Sequence, residues 1–284
     1  MSSGIPFHKM SGLGNEILVV DLRPAAAHGF SSAHVQAIAR QPRSRFDQMM
    51  VLLAARSAGT AAYVRIFNAD GSEAEACGNG MRCIGWLEAE RGGGSRLEFE
   101  TKAGRLQVEV SGRDRICVDM GVPRFGWRDI PLAAAAADTR AVALEIGPSD
   151  KPILRSPSVV NVGNPHAVFW VDDVFAYDLG HLGPLLEHHP LFPERANVSL
   201  ARVTGPAAIM LRTWERGAGL TRACGSAACA AAVSAARKGL TGRHVVVTLP
   251  GGPIDIQWGA DDRIRMTGPI SYEYDGVLDA LESA

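Results

Sequence analysis

The chain has 284 residues, 46% apolar and 21% charged, with a formal net charge of −1, a soluble globular composition without the field that recruits nucleic acid or an anionic membrane. No apolar run approaches the ~20 residues of a membrane span, and the apolar stretch 17–20 is too short for a secretory signal before Asp21 ends it. Five cysteines without an export signal place the chain in a reducing cytoplasm with its thiols reduced, and the length suits one large domain or two of about 140 residues.

In chain order, residues 17–21 read as a buried strand, 34–40 as a short helix and 49–53 as a second strand. Residues 61–67 alternate and end at the turn Asn68-Ala69-Asp70-Gly71. A helix over 81–91 stops at Gly92-Gly93-Gly94, followed by strands over 97–101, 106–110 and 116–120. An alanine run with Gly and Pro over 123–150 marks a domain boundary, giving 1–122 plus 270–284 as one domain and 123–269 as the other. The second half repeats the plan: strands over 159–162, 168–171 and 208–214, an alanine-rich helix over 227–237, then strands over 245–249, 254–258 and 263–266.

The repetition extends to single residues. Ala76-Cys77-Gly78-Asn79-Gly80 and Ala223-Cys224-Gly225-Ser226-Ala227 each put a cysteine before small residues at a helix start. Arg65 and Arg212 stand twelve residues before their cysteines, each followed two residues later by an aromatic, Phe67 or Trp214, and then by a polar residue, Asn68 or Glu215. Asn15 and Gln48 are spaced like Asn164 and Asn197, so four positions recur in order with offsets of 149, 149, 147 and 147 residues. That period exceeds the ~50 residues of solenoid repeats and fits a duplicated domain.

Two cysteines so placed can face one pocket, the arrangement needed to take a proton from one side of a carbon and return it on the other. A helix N-terminus offers unpaired N–H groups and the positive end of the macrodipole, which can hold a carboxylate and lower a thiol pKa from about 8.5 toward neutral. Gly78 and Gly225 admit a close ligand, and Asn79 and Ser226 can cap or donate. The alternative is that a cysteine merely fills space, the reading taken for Cys83, Cys117 and Cys229. The spacings are too wide for a zinc knuckle, so no metal is expected, and the two motif cysteines could instead pair as an oxidised, inactive disulfide. His166 reads equally as a site residue or as a packed strand histidine, and Arg65 and Arg212 as structural.

The segments Lys9-Met10-Ser11-Gly12-Leu13-Gly14-Asn15, Phe46-Asp47-Gln48, Ala76-Cys77-Gly78-Asn79-Gly80-Met81-Arg82-Cys83, Gly163-Asn164-Pro165-His166 and Trp214-Glu215-Arg216-Gly217-Ala218-Gly219 resemble the diaminopimelate epimerase family over essentially the whole chain. The resemblance implies an α/β (α+β) fold of two topologically similar domains, each a strand-rich, barrel-like layer around a central helix, with the site in the cleft between them. It implies cofactor-independent stereoinversion of LL-2,6-diaminopimelate to the meso isomer in lysine and peptidoglycan precursor synthesis. Cys77 and Cys224 become the acid–base pair, and Gly78, Asn79, Gly225 and Ser226 the holders of the α-carboxylate. Asn15, Gln48, Asn68, Asn164, Asn197, Glu215 and Arg216 become the ligands of the amino groups and distal carboxylate. A zwitterion needs a carboxylate and a guanidinium, which Glu215 and Arg216 supply. The small-molecule substrate is the expected partner, with no nucleic acid or membrane, and a homodimer is a family expectation. Ser11, often histidine in the family, and Ser226-Ala227, often Thr-Gly, depart mildly from its pattern.

Two rivals compete with that reading. Another amino-acid racemase on the same fold would keep both cysteines without the distal-carboxylate set, so Arg216 with Asn68 and Asn197 favours diaminopimelate. A thiol redox or binding protein would explain the cysteines but not the duplicated polar set, and the chain has no C-x-x-C.

Overall fold

The computed structural model describes residues 4–24, 29–148 and 150–278. It divides into two compact units, residues 1–119 with 267–284 and residues 120–266. The first unit contains β1 (Ile5–Gly12), β2 (Asn15–Asp21), α1 (Ser32–Arg40), β3 (Gln48–Leu53), β4 (Ala62–Asn68), β5 (Glu73–Ala74), α2 (Gly78–Glu88), β6 (Arg96–Thr101), β7 (Gly104–Val110) and β8 (Ile116–Asp119). The second contains the short pair β9 (Glu145–Ile146) and β10 (Leu154–Arg155), then β11 (Ser158–Asn161), β12 (Pro165–Trp170), α3 (Leu179–Glu187), β13 (Asn197–Gly205), β14 (Ala208–Glu215), β15 (Gly219–Thr221), α4 (Gly225–Arg237), β16 (His244–Leu249) and β17 (Gly252–Trp258). The chain returns through β18 (Ile264–Gly268) to β19 (Ser271–Leu278), which pairs antiparallel with β1.

Both units use the same crossovers. In the first, β2 runs parallel to β3 through α1, and β4 runs parallel to β6 through α2. In the second, β12 runs parallel to β13 through α3, and β14 to β16 through α4. Parallel neighbours need such a crossover, and a helix provides it. The register repeats residue by residue. Ile17 faces Gln48 as His166 faces Asn197; Met49 faces Phe67 as Val198 faces Trp214; Leu97 faces Val108 as Val245 faces Ile256. The duplication visible in the spacing is therefore one of strand pairing.

One helix in each unit is enclosed and the other covers the sheet's outer face. α2 packs against β1, β2, β3, β7 and β8, and α4 against β11–β14, β16 and β17. Nearly every residue of both helices is buried, and a helix without a polar face belongs inside. Small residues allow the enclosure: α4 reads GSAACAAAVSAAR, and α2 carries Gly80 and Gly85. On the outer faces, α1 places Val35 and Ile38 in a cluster with Leu18, Met49 and Phe67, while α3 places Leu179, Leu182 and Leu186 with Phe169, Val198 and Leu200.

A Cβ on Gly85 would lie 2.5 Å from Val108 Cγ1. Val108 is buried and β-branched, so it has no rotamer to retreat into. Overpacking costs ~1–3 kcal/mol against a helix-propensity gain of about 1 kcal/mol. Gly85→Ala is expected to lose stability in urea denaturation and to recover part of it when combined with Val108→Ala. A Gly85→Ala protein as stable as wild type would refute the close fit.

Several elements differ from the sequence reading. Residues 172–207 received no element, yet they hold α3 and β13, so among the described residues the second unit has two α-helices, as the first was expected to have, rather than one. Both enclosed helices begin earlier than expected, at Gly78 and Gly225, directly after their cysteines. α2 ends at Glu88, and a single π-helical turn over Ala89–Gly93 follows, closed by Gly92 at φ 89°. Among the described residues, no helix is long and apolar enough to cross a membrane.

Candidate active site

Cys77 is the N-cap of α2, with extended backbone at φ −146° and ψ 99°. Its Sγ accepts from the Gly80 N–H at 3.2 Å and donates to Gln48 Oε1 at 2.7 Å. Gln48 opens β3 directly opposite Asn68 on β4, and its Nε2 donates to Asn68 Oδ1 at 3.3 Å. The three residues therefore form one hydrogen-bonded row beside the helix start. A second row runs from Arg82 Nη2 to Asn79 Oδ1 at 2.9 Å, from Asn79 Nδ2 to Asn15 Oδ1 at 3.1 Å, and from Asn15 Nδ2 to Asp47 Oδ2 at 3.1 Å. Donor and acceptor alternate, so the row fixes both amides with the oxygen toward Arg82 and the nitrogen toward Asp47. Gly12 leaves room for it: a Cβ there would lie 2.9 Å from Asn79 Cβ.

Arg82 and Asp47 escaped the sequence reading. Arg82 is fully buried in α2, and an arginine set among Gly80, Met81, Cys83, Ile84 and Gly85 was the available signal. Asp47 also accepts the Glu16 N–H at 2.8 Å, tying the approach to β3 onto β2.

In the second unit, Cys224 is the N-cap of α4 at φ −115° and ψ 106°, with Sγ 3.4 Å from Ser226 Oγ and Gly225 opening the helix. The helix N-terminus was expected to lower the thiol pKa; at Cys224 the shift is the opposite. Burial pushes it well above the ordinary thiol value, the neighbouring Glu215 carboxylate adds to this, and the Ser226 hydroxyl and Ala227 N–H oppose only in part. Cys224 is thus held as a thiol at neutral pH. Glu215 Oε1 also accepts from Thr221 Oγ1 at 2.5 Å.

Asn164, Asn197 and Arg216 gather around His166. Asn197 Nδ2 donates to Pro165 O at 3.0 Å, and its Oδ1 accepts the Arg216 N–H at 3.0 Å. His166 Nε2 lies 2.7 Å from Asn164 Oδ1 and 3.5 Å from Asn197 Nδ2. Its ring is fully buried, which with the Arg216 charge drops its pKa to about 3, so the imidazole is neutral with Nε2–H donating to Asn164. The guanidinium of Arg216 donates to Glu194 O at 3.0 Å and is otherwise exposed.

The matched positions thus do different work. Gln48 bonds its cysteine, whereas its counterpart Asn197 bonds backbone, and the neutral Asn68 is replaced by the charged Glu215. Arg65 pairs with Glu73 at 3.0 Å and Arg212 donates to Val174 O at 2.8 Å. Cys83 and Cys229 are buried inside their helices, where burial pushes the Cys83 thiol to about 12. Cys117 lies half-buried on β8. Among the described residues no group of three His, Cys, Asp or Glu side chains is arranged to hold a metal.

A family model described as diaminopimelate epimerase matches residues 7–126 and 158–273. The diaminopimelate epimerase of Brucella canis is 54% identical over 280 residues, covering 98% of this chain and 92% of its own. That of Brucella anthropi is likewise 54% identical, over 98% of this chain and 93% of its own. Among solved structures, a hydroxyproline epimerase from Agrobacterium vitis with bound trans-4-hydroxy-L-proline has a TM-score of 0.66 at 15% identity, over 97% of this chain and 92% of that one. A phenazine biosynthesis protein of the PhzF family from Bacillus anthracis has a TM-score of 0.67 at 15% identity, over 98% and 99%. At those identities the two structures speak for the fold.

Proposed function

The chain belongs to the diaminopimelate epimerase family, and on that premise we propose how its residues convert LL-2,6-diaminopimelate to the meso isomer. One thiolate removes the α-proton at one stereocentre. The C–H electron pair moves into the α-carboxylate as an enediolate-like anion, and the second thiol delivers a proton to the opposite face of the same carbon. Cys77 and Cys224 are the two groups, exchanging roles in the reverse direction. The raised pKa of Cys224 suits it to begin as the acid, with Cys77 as the base.

The helix starts hold the anion. The first N–H groups of a helix have no intrahelical carbonyl to bond, and those at Gly78 and Asn79 of α2 and at Gly225 and Ser226 of α4, with the positive ends of the two dipoles, are the donors for the charge that develops on the carboxylate. Asn15, Gln48, Asn68, Asn164 and Asn197 supply neutral hydrogen bonds to the remaining groups, Glu215 receives an ammonium, and Arg216 receives the distal carboxylate. The product serves lysine and peptidoglycan precursor synthesis, and the enzyme works in the cytoplasm as a homodimer. The single observation that carries this reading is that both thiols are N-caps of enclosed helices in two units of matching register.

The test is α-proton exchange of LL-diaminopimelate in deuterated, reducing buffer, followed by NMR. Deuterium incorporation with inversion at one centre is expected. No exchange from a folded, reduced protein would mean another amino-acid substrate. Arg216→Lys is expected to raise KM at least about tenfold, because an ammonium cannot replace a bidentate fork; an unchanged KM would remove Arg216 from the distal-carboxylate site.

A further inference from the structure

The carboxylate of Glu187, at the last residue of α3, lies outside every set assigned so far. Its side chain is 4% exposed. Oε2 accepts the Trp214 Nε1–H at 2.7 Å and Oε1 accepts the Gly217 N–H at 3.1 Å. One buried carboxylate therefore grips the residue before and the residue after the Glu215–Arg216 pair. Burying a carboxylate is costly unless donors compensate it, so its two oxygens are committed to that grip.

The rest of α3 is shaped for the same purpose. Gly183, one helical turn earlier, leaves space for the Trp214 indole: a Cβ there would lie 2.4 Å from the ring. The loop after α3 adds two ties. Arg195 Nη1 lies 3.8 Å from Glu187 Oε1, and Glu194 O accepts from Arg216 Nη1 at 3.0 Å. The first unit offers a built-in comparison. At the position matching Trp214 it has Phe67, which has no N–H, and at the positions matching Glu215 and Arg216 it has the uncharged Asn68 and Ala69. Among the described residues, the brace occurs only in the copy that carries the charged pair.

We propose that Glu187 is the positioning residue of the Glu215–Arg216 segment and so sets the enzyme's affinity for a substrate charged at its far end. The proposal rests on the assignment of Glu215 and Arg216 to the substrate's ammonium and distal carboxylate. Glu187 is not among the residues assigned to the substrate; it acts by holding the turn that carries Glu215 and Arg216.

Two variants and two measurements test it. Glu187→Gln keeps the shape but has one acceptor oxygen for two donors, so one tie is lost. Trp214→Phe removes the indole donor and leaves the Gly217 tie, which guards against a Glu187 variant that fails to fold. With LL-diaminopimelate, Glu187→Gln is expected to raise KM about tenfold with kcat within about threefold, and Trp214→Phe to raise KM less. In hydrogen-exchange mass spectrometry, peptides covering Gly217 are expected to exchange about tenfold faster in Glu187→Gln while those within α4 do not change. A fall in kcat at unchanged KM, or unchanged protection at Gly217, would overturn the proposal. The exchange measurement needs no turnover, so it decides the brace even if the wild-type enzyme leaves diaminopimelate untouched, a result that would count against the substrate assignment instead.

Discussion

Replacing Cys77 or Cys224 by alanine is expected to abolish epimerisation, lowering kcat/KM at least about 10³-fold in either variant, a loss typical of a missing general acid or base. The two losses arise differently. Without Cys77 the proposed base is gone and the α-proton stays in place. Without Cys224 the carbanion can form, but the only proton it can recover comes from the face it left. Inversion fails in both cases, because two-base catalysis needs a group on each face. Serine rescues neither, since its hydroxyl is far less acidic than a thiol and cannot share the proton evenly with its partner. The stability readout should separate the pair. Cys77 caps α2 through the Gly80 N–H, so Cys77→Ala loses about 1 kcal/mol, whereas Cys224 makes no side-chain cap and its removal costs less. Cys83→Ala, inside α2 with its thiol held protonated, keeps most activity. Either motif variant inverting diaminopimelate within tenfold of the wild-type rate would end the two-thiol mechanism.

The parts of the molecule legible in the sequence were those carried by local pattern and by repetition. The matched offsets placed Asn15, Gln48, Arg65 and Cys77 against Asn164, Asn197, Arg212 and Cys224, and the strand registers repeat on the same offsets. The family motifs located Asn15, Gln48, Cys77 and Asn164 independently. What escaped depends on contacts remote in sequence. Pro184 inside α3 and the glycines around it hide a helix whose stability comes from packing Leu182 and Leu186 into the sheet. Arg82, Asp47 and Glu187 are ordinary residues in the sequence; their roles appear only when Asn79, Asn15 and Trp214 are brought to them. The thiol pKa of Cys224 was misjudged for the same reason. A helix start lowers it by a modest amount, while complete burial beside Glu215, nine residues away, raises it by more. The sequence names the groups, but their electrostatics belong to the packed structure.

His166 provides the sharpest test of that point, because its consequence is a pH-dependent stability. An exposed histidine titrates near 6.5, whereas burial and the Arg216 charge bring His166 to about 3. Its Nδ1 is buried without a hydrogen-bond partner, so a second proton would have nothing to bond to. Above pH ~6.5 the ring is neutral in folded and unfolded chains alike, and the full stability is present. As the pH falls below that value, the unfolded chain takes up a proton that the folded chain refuses. Stability then drops by about 1.4 kcal/mol per pH unit until the folded pKa is reached. Between pH 6.5 and 4.5, above the midpoints of ordinary carboxylates at about 3.9–4.3, the expected loss is ~2–3 kcal/mol from this one residue. His166→Gln retains an N–H for Asn164 Oδ1 but cannot titrate. It is expected to be less stable than wild type at pH 7 and to flatten the dependence over that window, as measured by urea denaturation at successive pH values. If the variant follows the wild-type slope, His166 is not held neutral by the fold. Because the same imidazole orients Asn164, and Asn164 is assigned to substrate, wild-type KM is expected to stay level down to pH ~5 and the enzyme to fail in acid by unfolding before this contact breaks.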